Sequence, residues 1–94
     1  MKWRLVIAPK VQETLRDLSP QIKRLIRACL EELRRDPRLG KALKDELAGF
    51  YSFRVKRFRI VYRIEHSLVT VLVIGIGRRE GIYEKLIGEL RSRH

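Results

Sequence analysis

YSFRVKRFRIVYRI, residues 51–64, alternates apolar and polar side chains in two runs that meet at Lys56-Arg57. A period of two is the signature of a strand with one buried face. With Lys56-Arg57 as a two-residue turn, Val55 pairs with Phe58, Phe53 with Ile60 and Tyr51 with Tyr62. The large apolar groups then share one face. The opposite face sets Arg54 directly across from Arg59 and Ser52 across from Val61. Like charges opposed on a sheet destabilise it, which points to an anion held between them. No acidic residue within 51–64 neutralises the pair. For any single arginine the plain alternative is a solvated polar face. Lys-Arg also departs from the Asn-Gly and Asp-Gly pairs that such turns favour. A shifted register, Lys56 opposite Arg59, keeps the faces but parts the two arginines.

Upstream of the hairpin, Trp3, Leu5 and Ile7 alternate with charged or aliphatic neighbours and read as a strand over 3–8, ended by Pro9. Val11, Leu15 and Leu18 recur at helical spacing, giving a short amphipathic helix over 9–18. Ser19-Pro20 is a helix start, with an N-cap oxygen and proline at the first helical position. Ile22, Leu25, Ile26, Cys29, Leu30 and Leu33 form the apolar stripe of a second helix, closed by Asp36-Pro37. Cys29 lies in that stripe and reads as a core hydrophobe, not a nucleophile. Residues 38–49 read as a connector with a partial helical turn over 42–47.

Downstream, Leu68–Ile76 is nearly all β-branched or Leu, as expected of a central strand buried on both faces. Gly77-Arg78-Arg79-Glu80 reads as leaving the sheet. Helical spacing returns at Tyr83, Leu86, Ile87 and Leu90. The order predicts an α+β single domain spanning 1–94: an N-terminal strand, a two-helix hairpin on one sheet face, three antiparallel strands and a short C-terminal helix. Tyr83 follows Arg79 by four residues, so it is either part of the Leu86/Ile87/Leu90 stripe or an aromatic working beside phosphate-binding arginines.

The 94 residues hold 22 Lys+Arg against 11 Asp+Glu, a net charge of +11, with 45% hydrophobic content. That suits one packed domain with an anionic partner: nucleic acid, a membrane surface or an acidic protein. One cysteine excludes an internal disulfide and multi-Cys zinc sites. Two histidines, far apart, suggest no metal cluster. The absence of a run of about 18 apolar residues leaves no membrane span. The N-terminus lacks the apolar centre of a signal peptide, so a cytoplasmic location is expected.

The order of elements, with WRLVIAPKVQETLRDLSP at 3–20, the hairpin above and VLVIGIGRREGIYEKL at 71–86, resembles the RelE/ParE superfamily of bacterial toxins from toxin–antitoxin pairs. The aromatic-Arg-Ile-Val-Tyr run, an apolar strand and then G-x-R-x-x-x-Y make a fairly specific combination spanning nearly the whole chain. The resemblance implies a RelE-like microbial ribonuclease fold. It also implies a ribosome-dependent, metal-independent endoribonuclease that cleaves mRNA through attack by the RNA's own 2′-hydroxyl and so inhibits translation. It implies no cofactor. Its partners are mRNA in the ribosomal A site, ribosomal RNA and a cognate acidic antitoxin, with no membrane. The catalytic positions it implies are Arg54, Arg59, Arg79 and Tyr83. Lys56, Arg57, Arg63 and Arg78 are the expected RNA-binding set.

Ser52 stands where some ribonucleases of the family carry lysine, and Arg78 where many relatives carry histidine. Arginine does not deprotonate in proteins, so Tyr83 is the evident proton-handling group. Tyr83→Phe is expected to leave stability almost unchanged. Two other functions fit the residues: ParE-like inhibition of DNA gyrase, which needs no arginine–tyrosine set, and a non-catalytic RNA- or ribosome-binding domain. An antitoxin is expected to cover the cationic face or to displace the 82–92 helix.

Overall fold

The structure, a computed structural model, describes residues 2–78 and 81–92. The described elements are β1 (Arg4–Ile7), α1 (Pro9–Asp17), α2 (Pro20–Arg35), β2 (Lys41–Ala42), β3 (Phe50–Val55), β4 (Phe58–Glu65), β5 (Thr70–Arg78) and α3 (Ile82–Arg91). One five-stranded sheet runs in the order β1-β5-β4-β3-β2. β1 joins β5 in parallel and the other pairs are antiparallel. The expected α+β architecture is what the chain adopts.

The hairpin takes the unshifted register. Val55 pairs with Phe58, Phe53 with Ile60, Tyr51 with Tyr62, and Arg54 lies directly across from Arg59. The turn reaches this geometry by holding Lys56 at φ +53°, a left-handed conformation that costs an L-residue about 1–2 kcal/mol. Arg54 Nε donates to the Lys56 carbonyl oxygen at 3.2 Å and braces the turn.

Each sheet face has its own cover. Leu15, Ile26, Leu30 and Leu33 from α1 and α2 pack on Val55, Ile60, Tyr62, Val71 and Val73. Ile82 and Leu86 of α3 pack on the opposite face with Val61 and Leu47. Ser19 caps α2, its Oγ accepting from Ile22 N at 3.4 Å. Cys29 packs at the margin of the first cluster. Burial pushes its thiol pKa up, and the Glu32 carboxylate adds to this, which keeps it a protonated hydrophobe.

The structure corrects several boundaries. The strand expected at 68–76 runs over Thr70–Arg78, after a 3₁₀ turn at His66–Leu68. Gly77 and Arg78 therefore lie inside the sheet. Counting β1 and the two-residue β2, the middle strand is β4, and β5 is interior but second from the edge. The connector pairs Lys41 with Ser52 and Ala42 with Tyr51 as an edge strand, and its helical turn is confined to Asp45–Leu47. That pairing engages part of the outer edge of β3, which a helix there would leave unpaired.

Candidate phosphate-binding face

The site grows from the pleat. Ser52 and Arg54 are two residues apart on β3, so they share a face about 7 Å apart. Arg59 joins them from β4, opposite Arg54. On Arg59's other side is Gly77 of β5, which brings no side chain to that face. Arg59 Nε is buried and has no hydrogen-bond partner among the described residues. A buried guanidinium N–H without an acceptor is costly, and an anionic oxygen is the acceptor that suits it best.

α3 brings the fourth group. Its seat is cut by two glycines. A Cβ at Gly77 would lie 3.0 Å from Ile82 Cδ1, and one at Gly75 would lie 3.0 Å from Leu86 Cδ1. A bulge where β5 crosses Val61/Tyr62 turns both Ile74 and Gly75 towards this helix. With Ile82 pressed on Gly77, Tyr83 reaches back over β3, and its hydroxyl donates to Ser52 Oγ at 2.8 Å. The hydroxyl is thus tied to the face that carries Arg54 and Arg59. Tyr83 serves both readings: its ring borders the Leu86 cluster, while its oxygen belongs to the polar face.

The remaining expected residues divide. Lys56 and Arg57 are exposed at the hairpin tip. Arg78 pairs with Phe58, so the pleat assigns it to the α1/α2 side, opposite Arg59. Arg63 is four residues from Arg59 along β4, about 13 Å. It is ion-paired to Glu65 and sits 6.0 Å from the Phe50 ring centroid. Its neutralising carboxylate comes from one residue beyond the stretch 51–64. Arg79 lies outside the described residues. Among the described residues, no ion pair reaches Arg54, Lys56, Arg57, Arg59 or Arg78. A cleft of about 520 Å³ lined by Phe50, Arg63, Lys85 and Leu90 touches none of Ser52, Arg54, Arg59 or Tyr83. The cationic face is thus separate from that cleft.

Sequence reading missed the Ser52–Tyr83 bond. Its one signal was a small polar residue on the face where Val61 and the arginines lie. It also left the cover of that face unassigned, although a strand apolar on both sides requires two covers.

Residues 5–83 match the family described as the ParE toxin of type II toxin–antitoxin system, parDE. The chain is 37% identical over 75 residues to Toxin RelG of Mycobacterium tuberculosis, a match covering 74% of this chain and 86% of that protein. It is 37% identical over 73 residues to Toxin RelE of the same organism, covering 72% of this chain and 75% of that one. Among solved structures it is similar to the M. tuberculosis toxin–antitoxin complex RelBE2, with TM-score 0.78, 30% identity, and 84% and 93% of the two chains covered. The free E. coli RelE toxin variant shares the fold, with TM-score 0.79, 22% identity, and 99% and 98% covered.

Proposed function

The chain belongs to the ParE toxin family of type II toxin–antitoxin systems, within the RelE/ParE superfamily, and on that premise we propose that it is a RelE-like endoribonuclease that cleaves mRNA on the ribosome. One observation carries the reading: two opposed arginines, one with a buried Nε that has no partner among the described residues, share a face with a tethered tyrosine hydroxyl.

In this reading the scissile phosphate lies over Arg54 and Arg59, with Arg79 as a third cation by its match to the family motif. The RNA's 2′-oxygen attacks phosphorus, the P–O5′ bond breaks, and a 2′,3′-cyclic phosphate and a 5′-hydroxyl result. Water takes the 2′-hydroxyl proton, and Tyr83 supplies the proton that the leaving 5′-oxygen needs. The arginines stabilise the charge that builds on the phosphoryl oxygens. The nucleophile is the RNA's own, so the route requires no metal ion. Lys56 and Arg57 extend the cationic track at the hairpin tip. The partners of this activity are mRNA in the A site, ribosomal RNA and a cognate acidic antitoxin, all in the cytoplasm.

The match to ParE toxins favours one competing reading, inhibition of DNA gyrase by protein contact. Primer extension on a translated message decides between them. Codon-phased cuts that appear only with both protein and ribosomes are expected. An intact message together with blocked supercoiling by gyrase would establish the competing reading.

A further inference from the structure

The geometry points to Ser52 as the residue that positions Tyr83 for proton transfer, an inference that rests on the nuclease reading above. Ser52 is 4% exposed, and only Thr70 joins it as a buried polar side chain among the described residues. Thr70 turns its hydroxyl to a local backbone oxygen, Leu68 O at 2.9 Å. The Ser52 bond instead spans 31 positions and joins β3 to α3. β3 is held by β4 on one side and β2 on the other, so Ser52 is a fixed point. Packing against the Leu86 cluster holds the Tyr83 ring, and the Ser52 contact fixes its hydroxyl on the side facing the arginines.

A serine hydroxyl both accepts and donates. As acceptor, Ser52 holds the Tyr83 proton towards the sheet. Rotated to donor, it releases that proton outwards to the leaving 5′-oxygen and hydrogen-bonds the phenolate that remains. Charge-assisted bonds of that kind are the strong ones. Water then returns a proton to Tyr83 and the pair resets. Ser52 touches no substrate and acts only through Tyr83.

The test is single-turnover cleavage on ribosomes programmed with a short message, using wild type, S52A, S52T, Y83F and the S52A/Y83F double variant. S52A is expected to lower the rate at saturating protein about tenfold and to leave the half-saturating concentration unchanged. S52T, which keeps a hydroxyl on a strand-compatible side chain, is expected to restore the rate. In the Y83F background S52A is expected to have no further effect. Wild-type cleavage by S52A, an S52T as slow as S52A, a change in half-saturation alone, or the same loss in both backgrounds overturns the inference and leaves the nuclease reading standing. No cleavage by the wild-type protein on ribosomes removes both.

Discussion

Tyr62 and Gly40 are matched to each other. The Tyr62 hydroxyl donates to Pro37 O at 2.6 Å and accepts from Gly40 N at 3.0 Å. A Cβ at Gly40 would collide with that oxygen, so glycine is required there for space and not for backbone freedom. Burial pushes the Tyr62 phenol up to about 12, against a smaller opposing effect of the Gly40 N–H. Between the ordinary tyrosine value near 10 and this one, the unfolded chain has released a proton that the folded chain keeps. Stability contributed by the neutral phenol is therefore complete below about pH 10 and falls as pH rises towards 12, by about 2–3 kcal/mol. Urea unfolding of wild type and Tyr62→Phe should show the wild-type advantage shrinking across that window. Tyr83→Phe has a cost the sequence did not reveal, because it leaves buried Ser52 without its partner. A loss of about 1 kcal/mol in stability is expected, with a fall of roughly 10²–10⁴-fold in cleavage. Thermal melts alongside single-turnover assays separate the two effects.

At the scale of elements, α3 depends on the glycines beneath it. Gly77→Val places a branched side chain against Ile82, whose Cβ would be only 3.2 Å from the new Cβ. Overpacking of this kind costs about 1–3 kcal/mol. It also lifts the first turn of α3, which carries Tyr83 away from Ser52. Cleavage measured well below the melting temperature should fall while most of the protein remains folded. The β4–β5 connection stores strain of another sort. Val69 sits at φ +47°, where a β-branched side chain is an outlier, and is 37% exposed. Val69→Gly removes the left-handed penalty at small loss of packing. A gain of about 1 kcal/mol in denaturant unfolding is expected, with cleavage unchanged.

At the scale of the molecule, the charge of +11 is not confined to the hairpin. Arg24, Arg27 and Arg35 are exposed on α2, and α2 covers the sheet face opposite Arg54 and Arg59. Binding to ribosomes should weaken steeply with salt, and each phosphate neutralised should add about 0.7–0.9 to the log–log slope. Arg54→Ala should lower that slope by about one such step if Arg54 meets a phosphate. A slope near zero would assign the positive surface to an acidic protein partner.

The sequence by itself determined the first two helices, the main strands to within a few residues, and the faces of the hairpin. Alternation of large apolar groups from Tyr51 to Ile64 fixes which face each side chain takes, but two registers keep those faces, and the fold selects the one that sets Arg54 against Arg59. The helix pair follows because Ser19-Pro20 and Asp36-Pro37 act within one turn of themselves. Local chemistry suffices for such features. Only the tertiary structure decided that α3 covers the second sheet face, that Arg63 is neutralised by Glu65, and that Tyr83 is tethered to Ser52. The helix cover and the tether join groups far apart in the chain, and each depends on how close one element can approach another. Gly75 and Gly77 allow α3 to reach the sheet through side chains they lack, and no periodicity in the chain records how near a neighbour will come.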